Sequence, residues 1–447
     1  MSRLPFLIGK YLLLDLQLLD LINIFTMKNF LKILVLVFLP FLFLTCTTDS
    51  DDPADPVDPD PINVGELLWT FNIGVEGKHS SGDPAIAADG TIYITSAGDL
   101  VSWKPAKICA INPDGTLKWK SGEIDHVGTG KICVGSDGTI YVVGYTTLYA
   151  INPADGSFKW QMQPHAYQIS YLTIGNDGTL FVATVGTGSY RRAVVAITSE
   201  GQLKWIKDPA GFGSPYAHHL TVGKDGTLYT YWPIWSDVLG RYVRMIQALD
   251  PETGIQIWAT EEMPLDFSDP RGMAIAEDGN IILSIDKGQI SDSNRLLKIN
   301  ASTGAILWNK EAITGFPSIA PNGDILIFGF NAGLYCYSPS GDERWSAGNN
   351  LSGIHGITID SEGKIYVAGG ESTYGGNNQC FNTDGSLAWA TYLEINGAEC
   401  PAIANDGIIY IIGNGDKLYA VQGDKPLATN GWPRANYNNS NSRNASY

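Results

Sequence analysis

Basic side chains are scarce: 29 Lys and Arg stand against 46 Asp and Glu, a formal charge of -17. A surface of that sign repels phosphate backbones, and no local basic patch offsets it, which argues against nucleic acid as a partner. Cysteine is sparse too. The six cysteines show no CxxC or CxxH spacing, which argues against a structural zinc site or a thioredoxin-like pair. The chain also lacks a GxSxG elbow, an HExxH helix and a P-loop, so no catalytic motif announces itself. What it has in abundance is glycine, 50 residues, with 12 tryptophans and frequent Thr, Ile, Val and Tyr. That mixture describes many short strands joined by tight turns.

The N-terminal region reads as processed and not folded. Residues 1–26 read as a mis-called upstream extension from an earlier start codon, interrupted by Asp15 and Asp20, and a better-formed export signal begins at Met27. There Lys28 and Lys32 precede an apolar run from Ile33 to Leu44, and the signal, residues 27–45, ends at Leu44-Thr45-Cys46. That ending resembles a bacterial lipobox, a resemblance that implies lipidation of Cys46. Residues 46–64 alternate Asp and Pro and cannot build a core. They form an extended tether of about 3.1 Å per residue. The acidic stretch after Cys46 is similar to the surface-export tag of some Gram-negative lipoproteins, and equally suits a periplasmic spacer.

Internal periodicity governs the rest. Gly-x-x-x-Trp occurs eight times, ending in Trp69, Trp119, Trp160, Trp205, Trp258, Trp308, Trp345 and Trp389. Eight further glycines, Gly90 through Gly407, follow an acidic residue or Asn and precede an alternating apolar run. Such pairs mark hairpin turns, because a positive φ is cheap for glycine. Each unit therefore reads as four strands: A before the Asp-Gly turn, B after it, C through a Tyr-Ala-Ile-Asn type segment, and D carrying the tryptophan.

The segment from Ala248 to Trp258 resembles the PQQ-like repeat, A-x-D-x-x-x-G-x-x-x-W, and the resemblance covers residues 65–432. It implies an all-β fold: an eight-bladed β-propeller of four-stranded antiparallel blades. Trp69 lies on a D-like strand with no A, B or C before it, and the last unit lacks its own Gly-x-x-x-Trp. The two halves complete one blade, closing the ring and removing its exposed edges. The eight tryptophans then read as wedges between blades. Residues 433–447 form an Asn/Ser-rich tail.

Topology separates two faces. The AB and CD turns are short and uniform; the BC and DA connections vary. Thus 22 residues separate Gly138 from Trp160, and 32 separate Gly226 from Trp258. Function on a repeat scaffold usually lives in the elaborated loops. The BC/DA face collects His79, His126, His165, His218, His219 and His355, with Trp103, Tyr190, Arg191, Arg192, Trp232, Trp235 and Tyr374. Aromatics beside polar groups on loops suit a glycan or a partner protein. The expected centre is the insertion from Trp232 to Tyr242, with Trp235 as anchor.

The quinoprotein dehydrogenases that gave the repeat its name hold their quinone beside an adjacent Cys-Cys disulfide and a calcium ion. No vicinal cysteines occur here, so neither PQQ nor another cofactor is expected, and no metal site is assigned. The five cysteines after Cys46 read as small buried fillers. The expectation is a non-enzymatic, lipid-anchored outer-membrane protein of a Gram-negative bacterium that binds an envelope protein or a glycan. An outer-membrane assembly scaffold of the BamB-like family is the first alternative. A metal-dependent propeller polysaccharide lyase or a quinoprotein enzyme is the second.

Overall fold

The computed structural model describes residues 63–73, 82–96, 105–125, 132–164, 168–186, 193–208, 219–236, 238, 240–260, 270–286, 294–329, 333–347, 356–369, 378–393, 395, 398–413, 417–438 and 440–446. At 232–236, 241–243 and 270 only the backbone is described. The described secondary structure is eight antiparallel sheets of four strands. Blades 1 to 7 span 85–120, 132–162, 168–207, 219–259, 270–311, 317–347 and 357–391. Blade 8 takes its inner three strands from Ala402–Ile403, Ile409–Gly413 and Lys417–Val421, and its outermost from Leu67–Asn72. Leu67 pairs with Val421 and Asn72 with Lys417, so the N-terminal strand closes the ring as the repeat count requires.

The turn chemistry explains the Asp-Gly-Thr recurrence. In blade 2, Asp137 Oδ1 accepts the Thr139 N–H at 2.9 Å and Oδ2 accepts the Thr139 hydroxyl at 2.6 Å. Gly138 sits between them at φ 80°, which a side chain would resist. A lysine from strand D, one residue before the tryptophan, reaches the same turn: Lys118 meets Asp89, Lys159 meets Asp137 and Lys204 meets Asp177. Each such pair ties the outermost strand to the AB turn. Being partly exposed, each adds only about 0–1 kcal/mol.

The core is a ring of layers between neighbouring blades. One buried cluster joins blades 8 and 1 through Ile86, Ile92, Tyr410 and Leu418, and another joins blades 1 and 2 through Ile108, Ile124, Ile140 and Ile151. Each tryptophan seals such a layer. Trp119 pairs in register with Ala110 on strand C, which pairs in turn with Tyr93 on strand B. The small alanine lets the two rings meet over it, with centroids 5.8 Å apart. Trp119 then lies against Gly156 of blade 2, where an added Cβ would come within 2.5 Å of the indole. The same contact joins Trp69 to Gly115 and Trp389 to Gly65, the latter across the closing blade. Trp69, Trp119, Trp160, Trp205, Trp258 and Trp345 also donate Nε1–H to a turn carbonyl of the following blade at 2.8–3.1 Å.

Candidate functional site

Blade 4 departs most from the common outline. Its strands B and C, Leu228–Ser236 and Arg241–Leu249, are nine residues each and stay in register from Leu228 with Leu249 out to Ser236 with Arg241. Strand A, His219–Val222, pairs only with 228–231, and strand D only with 247–249. The remainder is therefore a two-stranded ribbon running beyond the blade at its BC end. The insertion expected as a loop from Trp232 to Tyr242 is thus mostly strand. Alternating Tyr, Thr, Trp and Ile continue the β pattern, and Trp235 stands opposite Tyr242 in the register. Val238, at the tip, is 91% exposed.

His219 opens strand A of blade 4 and is buried. Its ring centroid lies 4.7 Å from that of Tyr171 on blade 3 and 6.5 Å from that of Phe316 at the start of blade 6. The Tyr171 hydroxyl and His219 Nε2 are 3.4 Å apart. Cys46, His79, Trp103, His126, His165, Tyr190, Arg191, Arg192, His218, His355 and Tyr374 lie outside the described residues, and Trp232 and Trp235 are placed by backbone alone. Of the residues singled out in the sequence, the structure brings His219 to the axis and puts Trp232 and Trp235 on the ribbon.

The Asn/Ser-rich tail occupies the propeller axis, a place that no repeat or motif in the chain indicated. The last residue of strand A in several blades turns its N–H inward, and the tail accepts it. Ile359 donates to Pro433 O, Ile319 to Trp432 O, Val134 to Ser440 O, Ile174 to Ser442 O and Val222 to Arg443 O, at 2.7–3.1 Å. These inner edges would otherwise present unpaired donors. Arg434 is fully buried and spans the join of the ring, donating to Pro84 O of blade 1 and Cys400 O beside blade 8. Asn436 donates to the Asp83 carboxylate. Trp432 is fully buried in the cluster shared by blades 4 to 6. The tail is thus a plug at the AB-turn end of the axis. A run of Asn and Ser carries no apolar period, and the pattern that reads strands is blind to it.

The plug has unusual backbone. Tyr437, Asn441 and Arg443 are the non-glycine residues with positive φ among the described residues, at 77°, 54° and 51°. Such conformations cost about 1–3 kcal/mol each and persist only where surroundings over-determine them. For Arg443 the surroundings are its own backbone bonds: N–H to Asn436 O, and C=O accepting from both Val222 N and the Thr173 hydroxyl. Its guanidinium carbon lies 5.0 Å from the Tyr171 ring centroid. Beside the plug, a cleft of about 490 Å³ opens between the AB turns of blades 1 and 8, walled by Asp89, Asp406, Leu427 and Tyr437.

Among the described residues no three His, Cys, Asp or Glu side chains group so as to hold a metal ion. Cys109, Cys133, Cys336, Cys380 and Cys400 are all buried free thiols. Burial pushes the Cys336 and Cys380 thiols up to about 12, far from the thiolate needed for nucleophilic chemistry. Cys133 Sγ contacts Asn441 O of the plug at 3.0 Å.

Residues 104–225 and 244–328 match the family model described as outer membrane protein assembly factor BamB. No curated protein sequence matches the chain. Among solved structures, BamB from Moraxella catarrhalis superposes with a TM-score of 0.57 at 15% identity, covering 80% of this chain and 98% of that one. The computationally designed Ika8 protein gives 0.60 at 12%, covering 80% and 100%. Quinohemoprotein alcohol dehydrogenase from Comamonas testosteroni gives 0.55 at 16%, covering 82% and 77%. A designed protein, an assembly factor and an oxidoreductase share this outline, so the likeness carries the fold and leaves function to the sites.

Proposed function

Starting from a PQQ-like repeat propeller of BamB-like architecture, we propose a lipid-anchored, non-enzymatic binding scaffold of the cell envelope. It engages an envelope protein or a glycan through the BC/DA face, centred on the blade 4 ribbon. The observation that carries this reading is the ribbon itself. Seven blades keep strands B and C within six residues, while blade 4 extends both to nine. Aromatic and arginine side chains commonly dominate binding energy, and this element supplies Trp232, Trp235, Arg241 and Tyr242. Cys46 would carry the lipid, and the Asp/Pro tether would hold the propeller off the outer membrane.

A photo-crosslinking residue at Val238 tests this directly. It should trap one envelope component in intact cells, and Trp235→Ala and Arg192→Ala should weaken that capture. Crosslinking no greater than from a control position on an AB turn would sink the reading. Cys46→Ala should release the protein from the membrane fraction.

The family match favours a second reading, a scaffold in outer-membrane protein assembly. It predicts that deleting the gene lowers the amount of folded outer-membrane barrels. Protease shaving of intact cells separates the two, since an assembly scaffold would face the periplasm and be spared.

A further inference from the structure

We propose that the axial aromatic cluster above the C-terminal plug binds a small planar carboxylate through Arg443. The inference concerns a small-ligand site and does not depend on the ribbon being the partner surface. Arg443 is 8% exposed. Among the described residues its guanidinium makes no hydrogen bond or ion pair; its one recorded partner is the face of Tyr171. A charge this deeply buried is costly unless paired, and a single cation–π contact offsets only part of that cost.

The side chain is also aimed. The Arg443 carbonyl is held at the AB-turn end of strands A, by Val222 N and the Thr173 hydroxyl. Tyr171 lies two residues before Thr173 on the same face of their strand, Gln168–Ile174, so the guanidinium points up the axis from that end toward the BC/DA face. The left-handed backbone of Arg443 fixes that direction before any ligand arrives, which lowers the ordering cost of binding.

Around it stand Tyr171, His219 and Phe316, from blades 3, 4 and 6. Blade 5 contributes Gly272 here, where an added Cβ would come within 3.0 Å of the Phe316 ring. Glycine therefore leaves Phe316 the room to reach inward. Tyr171 and Phe316 are half-buried, so each ring keeps part of its surface accessible. A planar fork of N–H donors between aromatic faces matches a carboxylate carried on a flat ring.

Benzoate is the probe, with inorganic phosphate as the non-planar oxyanion control, titrated calorimetrically at matched ionic strength. Wild-type protein should bind benzoate saturably at one site and phosphate more weakly. Arg443→Met should weaken benzoate at least tenfold, and Arg443→Lys should fall between, lacking the planar fork. Protection of Cys133 from maleimide reports that the plug stays seated in each variant. If Arg443→Met unseats it, Tyr171→Leu, outside the plug, decides in its place by the same tenfold criterion. Absence of saturable benzoate binding, or equal binding in the variants with the plug seated, overturns the proposal. Loss of ribbon crosslinking with benzoate binding intact would sink only the partner surface.

Discussion

At the scale of single residues, the tryptophans carry the largest individual effects. Trp258 fills the layer between blades 4 and 5, lying over Gly304 and donating to Ala301 O at 2.9 Å. Trp258→Ala removes a large ring that the rigid strands cannot collapse around, so unfolding free energy should drop by about 3–5 kcal/mol in urea titrations. Gly304→Ala attacks the same contact from the other side. Its Cβ would come within 2.6 Å of the indole at a backbone φ of 75°, and a loss of about 1–3 kcal/mol is expected. The turn carboxylates set the pH response. Hydrogen bonds from Thr116, Ser157, Thr253 and Ser386 hold Asp114, Asp155, Asp250 and Asp384 below the usual carboxylate range. Their stabilisation is fully present above the unfolded value, about 4, and is lost as pH falls through the lowered values. Asp360 opposes them: burial pushes it up despite bonds from Tyr366, Lys364 and Glu362, so its contribution weakens as pH rises through its interval. Urea midpoints should therefore be level from about pH 5 to 8 and fall below about pH 4. A midpoint that rises on acidification would show Asp360 dominating.

At the scale of elements, the ribbon should be separable from the ring. Residues 232–245 pair within the ribbon, beyond the reach of strand A. Replacing Pro233–Arg244 by an Asn-Gly turn joins Trp232 to Met245, which already face each other in register, and Asn-Gly suits a two-residue hairpin. The melting temperature should shift by only a few degrees while crosslinked capture is lost. A collapse in stability would mean that the ribbon serves the fold. Elements of this kind explain what could be read from the chain. Gly-x-x-x-Trp was legible because one contact, indole over glycine in the next blade, repeats around the ring and constrains two residues at fixed spacing each time. The small residue on strand C was legible for the same reason, since Ala110 or Cys380 sits under a tryptophan and a tyrosine at once. His219 shows the limit. Its place at the start of strand A follows from the repeat, but its burial beside Tyr171 depends on strands from two blades and on a tail 224 residues later. No periodicity encodes a contact that occurs once.

At the scale of the whole molecule, two devices close the ring. The first is the pairing of Leu67–Asn72 with Lys417–Val421, which seals one blade at the rim. The second is the plug, which leaves that blade and crosses the axis. From Pro426 and Leu427 at blade 7 it reaches Trp432 at blade 6, bridges blades 8 and 1 through Arg434, then follows the inner edges of blades 2, 3 and 4 to Ala445. A ring of blades each touching only two neighbours can open at any interface; a segment bonded to many inner strands couples those interfaces. Ending the chain at Thr429 keeps only the contacts that Pro426, Leu427 and Ala428 make to blade 7 and removes the rest. Loss of Trp432 from its buried cluster alone should cost about 3–5 kcal/mol, and the inner N–H groups of Val134, Ile174, Val222, Ile319 and Ile359 lose their acceptors. The thiols give a sharper reading than stability. Cys133 and Cys400 lie against the plug, at Asn441 O and beside Ala435, whereas Cys109, Cys336 and Cys380 lie on C strands inside the blades. Maleimide labelling with mass spectrometry should find Cys133 and Cys400 modified in the truncated protein and the other three protected. If truncation prevents folding, Arg434→Met in the full chain supplies the test, because it breaks the carbonyl bonds at the ring join and should speed labelling at the same two thiols. Five protected thiols and an unchanged urea midpoint in the truncated protein would mean that the N-terminal strand closes the ring alone.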